Sequence, residues 1–307
     1  MKTFQSVSNY YIRFFGKKVF RLTVGGFGNC PNRDPKTKEG GCIYCDIKGS
    51  GSDFLPLNLS VEEQINKMIK KDKNYILYFQ PFTSTFCEEE FLINTIEKSL
   101  KNKQFLGISI GSRADTISPK LWEYFKKLKE KTYFELELGL QSSKEETLKF
   151  IKRGHTLNEF DKTVQKAKEI EIPIIVHIII GLPSENLEDY LNTIKYINKL
   201  KIHGIKIHPL HIMYSSEISK IYNIKNKLNG GERFEAEGIP PLEILKLENY
   251  KEIVYKLLLE LNDKIILYRI SSERYTEDFA GPLWLLKKNL VLNEIKNYLK
   301  ERGILIL

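Results

Sequence analysis

Three of the four cysteines, Cys30, Cys42 and Cys45, fall within sixteen residues in a C-x11-C-x2-C pattern. Thiolates two residues apart reach one metal centre, and the third arrives across a loop. Gly40, Gly41, Gly49 and Gly51 in that loop let a backbone wrap closely round a bulky group. Three chemistries compete for this pattern. Reduced structural thiols are the plainest, but buried cysteines rarely cluster in a polar loop. Structural zinc takes four ligands, whereas no histidine or fourth cysteine lies nearby; Cys87 is distant and Asp46 is a weak substitute. A 4Fe-4S cluster held by three thiolates leaves one iron open, which is useful when something binds there.

The elements that must position these cysteines alternate along the chain. Strands are expected at 19–24, 75–80, 105–110, 132–138, 174–180 and 204–210. Helices are expected at 60–71, 87–101, 119–128, 144–151, 157–170 and 187–200, with a Ser60/Glu63 capping box and a Ser118-Pro119 helix start. The run 174–180 is continuously apolar, as in a strand covered on both faces. Six strands in this alternation imply an α/β fold with a parallel sheet, and fall short of a closed eight-stranded barrel. The expected architecture is a partial (β/α)6 TIM barrel with a small C-terminal α/β cap; a doubly wound sheet is the alternative. The divisions are an N-terminal extension (1–18), a core (19–213) and a cap (214–307). In the cap, helices are expected at 217–228, from Pro240-Pro241 to 261, and at 284–299. A break falls at Asn229-Gly230-Gly231, a strand at 265–270 and a polar segment at 271–280.

Hydrophobic residues make up 42% and charged residues 28% of the 307 residues, which excludes a disordered chain. No apolar run is long enough to span a membrane, and the N-terminus lacks a signal core. The expected location is therefore the cytoplasm. Lys and Arg outnumber Asp and Glu by 48 to 39, a net +9. That balance suits a polyanionic partner such as RNA, although a lysine-rich surface is an equal account.

Six segments, in order, resemble the radical S-adenosylmethionine (SAM) superfamily. They are GNCPNRDPKTKEGGCIYCD, YFQPFTSTF, ELGLQSSKEETLKFIKRGH, VHIIIGLPSENLED, KIHPLHIMYSSEI and GPLWLLKKNLVLNEI. The match covers about residues 3 to 300. The commonest superfamily spacing is C-x3-C-x2-C; the longer first gap here resembles the elongator-catalytic-subunit-like branch, specifically the YhcC-like family. The resemblance implies that Cys30, Cys42 and Cys45 ligate a 4Fe-4S cluster whose free iron chelates SAM. One electron then cleaves SAM to methionine and a 5'-deoxyadenosyl radical, which abstracts hydrogen from an unreactive carbon.

By the same resemblance, Tyr44 lies near the SAM adenine. Gln80 ends the second strand, where related enzymes carry a Gly-Gly-Glu turn; the turn glycines are absent from Gln80-Pro81-Phe82-Thr83-Ser84-Thr85. Gln141 and Arg153 occupy positions where relatives use Gln and Arg on SAM. His177, inside an apolar strand, is either a satisfied buried histidine or a polar group near SAM. Arg113 and Asp115 either pair structurally or face substrate. Ser184 replaces a glycine of the family's Gly-Leu-Pro-Gly-Glu turn. His208 and His211 sit at the strand ends where catalytic groups collect. Cys87 reads as a free core thiol, and Trp284 as packing for the closing helix. Expected partners are a reductant such as flavodoxin or ferredoxin, and tRNA or rRNA as substrate. A small metabolite or peptide substrate is the rival, and a non-catalytic iron–sulfur or zinc-binding protein is the rival of another class. No glycine-rich acetyl-CoA loop follows the core, so acetyl transfer is not expected.

Overall fold

The structure is a computed structural model that describes residues 1–25, 29–33, 40–46, 49, 55–272 and 276–307. Gly26, Phe27, Gly28, Gly51 and part of the polar segment after Ser271 lie outside the described residues. The chain opens with β1 (Lys2–Phe4) and α1 (Val7–Phe15). Then come β2 (Val19–Val24), α2 (Val61–Met68), β3 (Asn74–Phe79), α3 (Glu89–Ser99), β4 (Phe105–Ser112) and α4 (Pro119–Lys131). They are followed by β5 (Tyr133–Gln141), α5 (Glu145–Phe150), α6 (Leu157–Glu169), β6 (Ile174–Ile180), α7 (Leu187–Leu200) and β7 (Gly204–Pro209). Capping explains several of these starts. Ser118 caps α4 ahead of Pro119, and Asn186 closes a capping box on α7.

Strands β2 to β7 and β11 (Ile266–Arg269) form one parallel sheet in the order β11-β7-β6-β5-β4-β3-β2, curled into a half-barrel. Alternation decides which way each side chain faces. In β5, Phe134, Leu136, Leu138 and Leu140 join the main core with the helices, while Glu135 and Glu137 occupy the other face. Each large apolar side chain buried in that outer layer stabilises the fold by about 1.5–3 kcal/mol. The inner face is polar: Arg21 of β2, Ser109 of β4, Glu135 and Glu137 of β5, and Lys206 of β7 are hydrogen-bonded together there. Helix α1 closes the bottom of the half-barrel, placing Tyr11 against Ile76 and Val19, and Tyr10 against Ile175 and Tyr268. The two termini meet where β1 pairs with β13 (Ile304–Ile306).

Three parts of the C-terminal region differ from expectation. The strand expected at 265–270 does not stay in a cap: as β11 it pairs with β7 and extends the barrel sheet. The helix expected from Pro240 begins later, as α9 (Leu247–Glu260). Residues before it form an antiparallel hairpin of β9 (Arg233–Ala236) and β10 (Ile239–Glu243), turned at Gly238 with φ +68°. Proline is tolerated on such an edge strand because it need not donate to a ladder. The helix expected at 217–228 is only one short α8 (Glu217–Ile221). Just before it, β8 (Ile212–Met213) pairs with β12 (Phe279–Gly281), and α10 (Lys288–Glu301) packs on α9. Trp284 donates Nε1–H to Leu245 O at 2.8 Å and lies 5.4 Å from the Tyr250 ring, so it packs as expected. No helix among the described residues is long and apolar enough to cross a membrane.

Candidate active site

The loop after β2 is held by backbone contacts on both sides of its cysteines. Cys45 N–H donates to Cys42 O at 2.9 Å, forming the tight turn of Cys42-Ile43-Tyr44-Cys45. Ile43, fully buried, donates to Ile151 O at 3.1 Å and accepts from Ile218 N–H at 2.8 Å. The turn is thereby riveted between the end of α5 and the start of α8. Asn32 adds a second fixing point, donating from Nδ2 to Lys152 O at 2.7 Å and to Arg153 O at 3.0 Å. The Asn32 Oδ1 accepts from Arg113, and Gly154 leaves it room: a Cβ there would lie 2.1 Å from that oxygen, on a backbone with φ +79°.

N–H groups of two side chains face the sulfur of Cys42. Asn32 Nδ2 lies 3.5 Å and Arg153 Nη1 4.0 Å from Cys42 Sγ. Arg153 is itself clamped by Gly139 O, at 3.1 Å from Nε and 2.7 Å from Nη2. Burial opposes its charge, but Tyr44, Cys42 and Cys30 hold its pKa above the ordinary value. Burial, then the neighbouring Cys42, pushes the Tyr44 hydroxyl well above its ordinary value, so it stays protonated. At the end of β5, Gln141 takes a left-handed backbone, φ +76°, where the register to β6 shifts. Such strain in a non-glycine residue is held in place by its surroundings. Phe82 also adopts φ +60°, in the segment whose turn glycines are missing. Ser184 is left-handed as well, at φ +67°, so it follows the glycine it replaces.

The eight residues expected to hold the cluster or SAM all line one cavity of about 240 Å³: Cys30, Cys42, Cys45, Tyr44, Gln80, Gln141, Arg153 and His177. His208 and His211 line it too. Arg113 also reaches its wall, but it is paired with Asp115 at 2.5 Å and bonded to Gly154 O at 2.7 Å, the structural alternative. Cys87 stands outside the cavity wall. Its thiol points at Ser84 O, 3.2 Å away, and burial pushes its pKa up to about 11, as suits an unreactive thiol.

Sequence reading missed the far end of the cavity. There the fully buried Glu137 accepts from Arg21, Lys206, Ser109 and His177. A signal was present: VFRLTV, FELEL, IIVHIII and GIKIHP each carry ionisable residues in an otherwise apolar strand. A lone charge on a buried strand needs a partner on its neighbours.

A family model of the radical SAM superfamily matches residues 29–197. Over 303 residues the chain is 35% identical to YtqA of Bacillus subtilis (strain 168), covering 96% of this chain and 89% of that protein. It is 30% identical over 296 residues to YhcC of Escherichia coli (strain K12), covering 95% and 91%. A 170-residue stretch, 52% of this chain and 39% of the other, is 40% identical to a tRNA-2-methylthio-N(6)-dimethylallyladenosine synthase of Buchnera aphidicola. Among solved structures, Elp3 of Methanocaldococcus infernus with an N-terminal deletion superposes with a TM-score of 0.60 at 17% identity. That match covers 92% of this chain and 64% of Elp3, so the chain spans just under two thirds of that neighbour and shares its fold. The protein belongs to the radical SAM superfamily, and its relatives there include YtqA and YhcC. It is an enzyme of that superfamily, whose fold carries a 4Fe-4S cluster and SAM.

The residues present fit those two groups. Three thiols share one wall, and N–H donors already face the most buried of them. Gly139 opens the adjoining space, since a Cβ there would lie 2.6 Å from Gln141 Nε2 and 2.7 Å from Arg153 Nη2. Among the described residues, no three Cys, His, Asp or Glu side chains converge on one point as a single ion requires; a cube is gripped at separate corners.

Proposed function

We propose that Cys30, Cys42 and Cys45 hold the 4Fe-4S cluster, that Tyr44, Gln80, Gln141, Arg153 and His177 line the space for SAM, and that the enzyme modifies tRNA or rRNA. The observation that carries the cofactor assignment is that these eight residues, from six separate stretches of chain, line one cavity. When bound and reduced, the cluster and SAM supply a 5'-deoxyadenosyl radical for hydrogen abstraction. The protein supplies orientation. Arg153, fixed by Gly139 O, offers a planar cation to a carboxylate. Tyr44 stays neutral and offers a flat ring face to a purine. Gln80 and Gln141 offer amide donors and acceptors at two strand ends. The electron comes from an external reductant such as flavodoxin or ferredoxin.

Support for RNA comes from the relative named as a tRNA-modifying synthase and from the net charge of +9. Anaerobic reconstitution should yield four irons and four sulfides per chain, and dithionite plus SAM should release 5'-deoxyadenosine. An intact cluster that leaves SAM uncleaved contradicts the cofactor assignment. For the substrate, nucleosides of tRNA and rRNA from a deletion strain are compared by mass spectrometry with the parent strain. A missing modified nucleoside supports RNA; an unchanged profile moves the reading to a small metabolite or peptide.

A further inference from the structure

Beyond the cysteines the cavity continues to a floor where β5, β6 and β7 lie side by side. Glu137 is the centre of that floor. Its Oε1 accepts from Arg21 and from Ser109 Oγ at 3.1 Å, and its Oε2 accepts from Lys206 and from His177 Nε2 at 2.6 Å. Burial opposes its ionisation, but Arg21, Lys206 and His177 outweigh that and hold its carboxyl well below the usual range. A carboxylate so engaged has no proton to give and no lone pair to spare. The single proton of a neutral His177 ring must therefore sit on Nε2. Burial, with Lys206, lowers His177 to about 4, so the ring is neutral near pH 7.

The other ring nitrogen, Nδ1, is then a bare acceptor. It has no hydrogen-bond partner among the described residues, it is not among the sealed polar atoms, and the 21% of the side chain still exposed belongs to the cavity wall. His208 stands beside it, ring centroids 5.5 Å apart, and neither of its nitrogens has a protein partner among the described residues. Burial, then Arg269, holds His208 well below its ordinary value, so it offers one donor and one acceptor. Burial lowers Lys206 to about 7 against the pull of Glu137, whose Oε2 already engages its Nζ.

We propose that this floor is the substrate subsite: His177 Nδ1 accepts a hydrogen bond from an N–H or O–H of the substrate, His208 pairs with the group next to it, and Glu137 is a positioning residue that fixes the His177 tautomer. The ligand class is a neutral amide or lactam edge. An anionic group would set its lone pairs against that of Nδ1. The inference rests on the reading of this cavity as the seat of SAM and substrate and changes it at one residue: His177, grouped above with the SAM-lining side chains, faces substrate rather than SAM; with RNA as substrate, the group is the lactam edge of a nucleobase.

Two measurements test it. In 15N spectra of histidine-labelled holoenzyme, His177 should show a protonated Nε2 and an unprotonated Nδ1 from pH 6 to 8. The signal is assigned by its loss in His177→Asn, and Glu137→Gln should convert it to mixed tautomers. An imidazolium or an Nδ1–H tautomer for His177 at pH 7 overturns the proposal without any substrate. The second measurement is modified nucleoside formed per 5'-deoxyadenosine released, with bulk tRNA and rRNA from the deletion strain as probe. His177→Ala should lower that ratio about 10- to 100-fold, the usual loss when a recognition hydrogen bond is removed. His177→Asn, which puts an amide near the former Nδ1, should recover part of it. A wild-type ratio in His177→Ala overturns the proposal, and so does complete loss of SAM cleavage, which would assign His177 to the cofactor. RNA that gives no product with the wild type, while SAM is still cleaved, counts against the RNA reading alone; the tautomer is then decided by the spectra.

Discussion

At the mouth of the cavity, reactive side chains sit on loops and are fixed by backbone: Ile43 riveted to Ile151 and Ile218, Asn32 tied to the 152–153 carbonyls, Gly154 bare to let it in. At the floor, charged side chains sit on strands and fix one another: Arg21, Glu135, Glu137, Lys206 and His177. The difference follows from what each end must hold. A bulky cofactor needs space and a conformable rim, which loops and glycines provide. A small recognition edge needs groups held to fractions of an ångström, which strands provide. The mouth should therefore lose activity with little loss of stability under mutation, whereas the floor should lose stability as well as activity.

The largest effect belongs to the mouth. Cys42→Ala should abolish SAM cleavage and remove the cluster's absorbance, while the thermal midpoint of the cluster-free protein shifts little. A cluster retained in Cys42→Ala would break the ligand assignment. At the floor, Glu137→Ala strands Lys206 and leaves Arg21 with Glu135 alone, and should cost about 3–5 kcal/mol by denaturant titration. A cost under about 1 kcal/mol would mean that water screens the network. Between the two lies Ile43→Ala, which empties a buried anchor. It should cost about 2–4 kcal/mol and lower cluster occupancy too, joining both kinds of loss in one residue.

A smaller effect concerns Glu185, bonded to Ser142 beside the Gly181 turn. Burial raises it to about 7. The folded state then binds more protons than the unfolded state between about pH 4.5 and 7, so this group's contribution falls as pH rises through that window. Relative to wild type, Glu185→Gln should gain roughly 2–3 kcal/mol on going from pH 4.5 to 8; a pH-independent difference rejects the burial account. The smallest effect is expected at Cys87, outside the cavity wall. Cys87→Ser should leave SAM cleavage unchanged and cost no more than about 1 kcal/mol.

The legible parts were those written in local pattern. The 174–180 and 187–200 elements match their expected bounds because a continuous apolar run and a contiguous helical stretch are local signals. The hairpin of β9 and β10 was not legible. Its Pro240-Pro241 imitates a helix start, and only pairing with β9 shows it to be an edge strand. Glu137 was missed for a related reason: in FELEL it alternates like any half-exposed strand residue, and its partners lie 116, 69 and 40 positions away along the chain.

By itself, the sequence determined that three thiols close together in a glycine-bearing loop precede a run of alternating strands and helices, because spacing and periodicity are properties of neighbours along a chain. Only the tertiary structure decided that β11 joins the barrel sheet, that α1 closes its base, and that His177 has one nitrogen committed and one bare. Those are facts about which distant residues meet once the sheet has curled, and a carboxylate's choice of partners is settled by proximity in a low-dielectric interior.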